Sequence, residues 1–154
     1  WEAESKFLEG TGSMVLDRVT RVAYACLLPR THLDVLIDFC RRLDFEPVPF
    51  AAEDRAGVPI YHTNVMMTLG RGYAVICDEA ITDPGQREAV LRRLERSGHE
   101  IVSIRHEQMG SFAGNMLELS SRNGERGRRR SAEAGGSRYR PHQYETFRAN
   151  TFSG

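Results

Sequence analysis

Apolar and polar positions alternate along the chain in one pattern that occurs twice, with a period of about fifty residues. In the first unit SMVLD (13–17) and VAYACLL (22–28) read as two paired strands, and Pro29-Arg30-Thr31 as the turn that follows. HLDVLIDFCRRL (32–43) then reads as a helix, because Leu33, Leu36, Ile37, Cys40 and Leu43 recur at helical spacing on one face. Thr31, three residues before Asp34, resembles a capping box with Asp in place of Glu. EPVPF (46–50) closes the unit as a strand, and its two prolines, which have no N–H to give a ladder, predict an edge position.

The second unit repeats the order strand, strand, helix, strand. VMMTL (65–69) and YAVIC (73–77) are joined by Gly70-Arg71-Gly72, a turn that tolerates positive φ. Asp83 predicts a helix N-cap with Pro84 at the first helical position. QREAVLRRLERS (86–97) carries the helix to a stop at Gly98, and HEIVSI (99–104) is the closing strand. SFAGNMLEL (111–119) reads as the first strand of a third unit.

Three polar residues share the register of this repeat. Glu9, His62 and Asn115 are each 53 residues apart, and each sits at the entry to its unit's first strand. Units of this size stack or wind so that each buries a face against the next. If they wind about a common axis, equivalent positions converge, and an acid from one unit meets an imidazole from the next.

The pattern ends near residue 121. From Arg122 onward the chain has eight Arg and three Glu and no Leu, Ile, Val or Met, so a net charge of +0 hides a basic tail and an acidic body. Such a segment buries too little apolar surface to offset its ordering entropy. The expected division is therefore a patterned domain over 1–121 and a disordered or aberrant tail over 122–154. RGRRR (126–130) could pair with phosphates, but charge runs of this kind are usually solvated. The balanced overall charge argues against a polyanionic partner, and no apolar run approaches the roughly 20 residues a spanning helix needs. Three cysteines without C-x-x-C spacing argue against a disulfide framework or zinc site and favour a reducing compartment, with the cytoplasm expected. Cys26 and Cys77 fall in apolar strands and Cys40 on an apolar helix face, so all three read as buried hydrophobes. The histidines show no ligand spacing with one another, and no metal or cofactor is expected.

FLEGTGSMVLDR, YHTNVMM and FAGNML, in this order over about residues 6–121, resemble the guanidino-group-modifying (pentein) superfamily of arginine deiminases, dimethylarginine hydrolases and amidinotransferases. The citrulline-utilisation hydrolase branch is the most similar. The resemblance implies an α/β propeller of five ββαβ modules, of which this chain would hold about two and the first strand of a third. It also implies a hydrolase that cleaves C–N bonds of a guanidino or ureido amino acid, of arginine or citrulline type, through a cysteine thiolate. Glu9 matches the acid that grips the substrate nitrogens, and His62 the general acid/base. Arg30 resembles an arginine that holds the substrate carboxylate, and Asn64 and Asn115 are further candidate substrate contacts. A planar guanidinium can be engaged by a carboxylate through two N–H groups side by side, and an imidazole can protonate a leaving amine and later deprotonate water.

Three departures from the superfamily pattern stand out. The chain reads Glu9-Gly10-Thr11-Gly12 where many relatives have E-G-G-D, and Asn64 where some have an acid. The nucleophilic cysteine, expected near the C-terminus, has no counterpart in the Arg-rich tail. The chain alone is therefore expected not to turn over, and an open propeller is expected to self-associate through exposed sheet edges. Two other classes remain open: a non-catalytic module that binds a guanidino or ureido ligand, and a nucleic-acid-associated protein acting through its tail. Binding of the second kind would weaken steeply with salt.

Overall fold

The computed structural model describes residues 1–10 and 12–119. The tail expected to be disordered, its RGRRR run and the 121/122 boundary lie outside the described residues.

The strand VAYAC is the organising element. As β2 (Val22–Cys26) it is buried along its whole length. It pairs antiparallel with β1 (Val15–Asp17) and parallel with β3 (Glu46–Phe50), which lies at the sheet edge as its prolines predicted. Side chains alternate across a strand, so β2 serves two cores at once. Ala23 and Ala25 pack under Leu36 and Cys40 of α1 (Leu33–Leu43), while Val22, Tyr24 and Cys26 join the second module's core. The small residues on one face admit the helix closely, and the larger ones fill the joint between modules.

The second module repeats this arrangement after a one-turn helix, α2 (Thr63–Met66). The strand β4 (Met67–Gly70) pairs antiparallel with β5 (Tyr73–Ile76), and Gly72 turns the hairpin at φ 83°. The helix α3 (Pro84–Arg96) starts at Asp83, whose side chain accepts the Gln86 N–H at 2.7 Å. It stops before Gly98, which holds φ 81°, and β6 (Glu100–Ser103) returns parallel to β5. A short α4 (His106–Gly110) follows.

Four expectations change. The cap of α1 is His32, whose Nδ1 accepts the Asp34 N–H at 3.2 Å. Thr31 is instead fully buried in bridges to Leu8 and Leu28. Of the apolar stripe on α1 only Leu36 and Cys40 are buried; Leu33, Ile37 and Leu43 stay 38–49% exposed, because the sheet beneath covers only the inner part of the stripe. The run VMMTL begins as helix rather than strand, since β4 pairs with β5 only from Met67. The segment 111–119 forms turns and then chain that joins no ladder, because among the described residues no strand pairs with it. It is held across β4 through the Thr68 hydroxyl, which donates to the Met116 carbonyl at 3.0 Å.

The helix α3 clasps the first module with a polar stripe. Gln86 accepts the Ala51 N–H at 2.8 Å, Arg93 donates to Glu46 at 2.9 Å, and the Ser97 and Thr20 hydroxyls meet at 2.9 Å. Beside them Asp17 is 5% exposed and 3.8 Å from Nδ1 of His99. Burial pushes the Asp17 carboxyl up. Hydrogen bonds from the Thr20 hydroxyl and from the Thr20 and Val19 N–H groups, with the charge of His99, outweigh it and leave the group below its ordinary 3.8.

A folded-state value below the unfolded one means that this carboxylate's stabilisation is complete above the unfolded value. It is lost as pH falls through the folded value. Thermal midpoints should therefore drop on acidification below about pH 4. Asp17→Asn should be less stable near neutrality and show a flatter acid limb. Parallel acid limbs in the two proteins would show that Asp17 contributes nothing to this dependence.

Candidate functional site

Glu9 lies on a segment pinned along the α1 turn. Leu8 bridges to Thr31, the Glu9 N–H donates to the Arg30 carbonyl at 3.1 Å, and the Ser13 N–H returns to the Glu9 carbonyl at 3.2 Å. Gly10, at φ 37°, lets the chain double back. The acid thus stands on a tight turn ahead of β1 rather than at the strand entry itself. His62 occupies the matching place in the second module as N-cap residue of α2.

The two modules bring these side chains together. Glu9 Oε2 lies 3.2 Å from His62 Nε2. The second carboxylate oxygen of Glu9 is 3.6 Å from Nε of Arg30, so the acid stands between a guanidinium and an imidazole. The side chain of Glu9 is 43% exposed, that of Arg30 61% and that of His62 23%. An acid so placed is open to a ligand on one side and held by its neighbours on the other. Asp34, the other acid close to Arg30 in sequence, is paired with Lys6 at 2.8 Å.

Asn64 is beside this group, on the first turn of α2, and its N–H donates to the Gly12 carbonyl at 3.2 Å. Asn115 is exposed in the turns after α4, its N–H donating to Phe112, and no described contact joins its side chain to Glu9 or His62.

Two residues outside the expected site set hold the pair in register. Thr63, fully buried, donates its hydroxyl to the Ser13 carbonyl at 2.6 Å and accepts the Cys26 N–H at 2.8 Å. One hydroxyl therefore ties the Glu9 turn, β2 and the helix behind His62 into one unit. Gly12 lies directly under the His62 ring, and Tyr61 lies beside it with ring centroids 5.0 Å apart. The only signals in the sequence were a hydroxyl next to the histidine in YHTN and a glycine three residues after the acid.

The thiols lie apart from this chemistry. Cys26, Cys40 and Cys77 are all buried and free. Burial raises all three thiols, Cys26 and Cys77 to about 11, which suppresses the thiolate a nucleophile requires. Cys77, Glu79 and His106 bring potential ligand atoms within 4.8 Å of one another. Both ring nitrogens of His106 are already engaged, one with Glu79 at 2.9 Å and the other facing the Glu53 carbonyl at 3.2 Å, so the group serves as a tie between α4 and the second module. A cavity of about 470 Å³ opens beyond Tyr61, between Val58, Val65, His106 and Met109. It includes neither Glu9 nor His62.

The sequence matches the family model of eukaryotic N,N-dimethylarginine dimethylhydrolases over residues 1–151. Among solved structures it is similar to the substrate-bound N-terminal domain of ArgZ, an arginine dihydrolase from the ornithine–ammonia cycle in Cyanobacteria. The TM-score is 0.58 at 25% identity, covering 75% of this chain and 44% of that one. The ternary complex of AgrE with ornithine and NAD+ gives a TM-score of 0.61 at 24% identity, covering 74% of this chain and 16% of that one. The chain thus spans less than half the length of these relatives. No curated protein matches. Among the described residues no helix is long and apolar enough to cross a membrane.

Proposed function

Because the chain belongs to the N,N-dimethylarginine dimethylhydrolase family, we propose that Glu9 and His62 form the acid and imidazole of a site for a guanidino or ureido amino acid of arginine or citrulline type. The observation that carries this reading is the 3.2 Å approach of Glu9 to His62 across two modules. In that site Glu9 takes two N–H groups of a planar guanidinium, and Arg30, freed from Glu9 by the ligand, pairs with its carboxylate. The amide oxygen of Asn64 accepts a further N–H, and Asn115 is left as an outlying candidate contact. His62 would protonate the leaving nitrogen and deprotonate water in a C–N hydrolysis.

The covalent step belongs to a thiolate, which splits one difficult displacement into two. The burial of all three cysteines favours the reading in which this chain binds the ligand without turning it over. A single carboxylate suits a neutral ureido group as well as a cationic guanidinium, so the citrulline branch stays within the proposal. The location we propose is the cytoplasm.

Titration calorimetry with arginine and with citrulline, followed by assay of the same samples for released ammonia, tests this function. Saturable heat from at least one ligand, with no product, is expected. No heat from either at millimolar concentration would remove the binding site. Steady product release would overturn the non-catalytic reading while keeping the family chemistry.

A further inference from the structure

We infer that Gly12 is a positioning residue: by having no side chain, it provides the seat in which the His62 imidazole lies against Glu9. This rests on the site proposed above and adds to it a requirement at a position that does not itself touch the ligand.

The geometry is specific. A Cβ built on Gly12 would stand 2.5 Å from Nδ1 of His62, 2.8 Å from its Cγ and 2.9 Å from its Cε1. Real Cβ atoms do not approach other atoms so closely, so the ring lies flat on the Gly12 backbone and fills the volume that any side chain there would need. The ring has little room to yield. Nε2 is directed at Glu9 at 3.2 Å, and Tyr61 flanks the ring at 5.0 Å. The backbone on either side is tied as well, by the Asn64 N–H to the Gly12 carbonyl at 3.2 Å and by the Thr63 hydroxyl to Ser13 at 2.6 Å. Both attachments hold the histidine's own helix to the strip of chain that forms its floor.

Gly12 is not among the glycines with positive φ, so its backbone is one that other residues adopt readily. Its requirement for glycine therefore arises from the ring above it and not from a left-handed conformation. With the imidazole seated in this way, any side chain at position 12, an aspartate included, would need the space that the ring fills. One carboxylate, that of Glu9, thus stands next to the imidazole.

The test is a set of four proteins: the native chain, Gly12→Ala, Glu9→Gln and the double variant, labelled with 15N at histidine. In the native background Glu9→Gln should shift the His62 ring nitrogen signals, because the carboxylate contact is lost. In the Gly12→Ala background the same replacement should leave them unchanged, because the ring has already left its seat. An equal shift in both backgrounds overturns the inference. If Gly12→Ala is too unstable for spectroscopy, thermal midpoints in the native and His62→Ala backgrounds decide. Gly12→Ala should lower the midpoint only where the ring is present, and an equal drop in both places the clash elsewhere. Neither readout depends on arginine or citrulline, so the seat can fail or stand separately from the proposed ligand.

Discussion

Replacing Glu9 by glutamine should weaken arginine binding about ten- to hundredfold while leaving the unfolding midpoint nearly unchanged. A hydrogen bond to a charged group is worth about 1.5–3 kcal/mol, and a two-point carboxylate–guanidinium pair lies in that range. At about 1.4 kcal/mol for each factor of ten, the loss spans one to two decades. The carboxylate is 43% exposed, so solvent screening favours the lower part of the range. Exposure also explains why the fold is spared: the side chain leaves no buried partner unsatisfied when it becomes neutral. Calorimetry with both ligands supplies an internal control, because the ureido group of citrulline carries no charge for the acid to pair with, so its binding should suffer less. Equal affinity of native and variant chains for arginine would show that the acid at position 9 is not the anchor.

The residues differ in how far their roles could be read before folding. The strand VAYAC, the helix over 84–96 with its Asp83 cap and the stop at Gly98 follow from local rules: alternation, capping and positive φ act within a few residues of themselves. The 53-residue register of Glu9 and His62 was also legible, since a repeat places equivalent positions in equivalent surroundings, and these two meet at 3.2 Å. Asn115 has the same spacing but no strand ladder to carry it inward, and it remains exposed.

Elsewhere a local rule was overridden by tertiary contact. Thr31 has the chemistry of a cap, but its place in the bridges to Leu8 and Leu28 leaves that task to the His32 imidazole. Met66 belongs by pattern to a strand, yet it ends a helical turn that sets His62 over Gly12. The exposed half of the α1 stripe follows a helical period correctly, but a period cannot state how wide a face the neighbouring sheet will cover. The roles of Gly12 and Thr63 were not legible, although position 12 stood out as a departure from E-G-G-D. A glycine required by an approaching ring and a hydroxyl shared by two distant backbones have no signature until the modules are in contact.

That dependence makes Thr63→Val the substitution with the largest expected cost to the fold. Valine nearly matches threonine in shape, so the cavity left is small and the loss is polar. The Cys26 N–H and the Ser13 carbonyl, both bonded to one buried hydroxyl, would be left without a partner. An unsatisfied buried group costs about 1–3 kcal/mol, and two in one place should lower stability by about 2–4 kcal/mol. Urea unfolding should show the midpoint falling with little change in slope, since the area exposed on unfolding is the same. Thr63→Ser keeps the hydroxyl and loses only a methyl group, so it should recover most of the difference. The two variants therefore separate hydrogen bonding from packing, and equal destabilisation by both would show that the methyl group, not the hydroxyl, matters. Because the same hydroxyl ties the Glu9 turn to the helix behind His62, Thr63→Val should also weaken arginine binding under conditions where the chain remains folded. A variant that loses stability but binds arginine as tightly as the native chain would show that the acid and the imidazole keep their places without this tie.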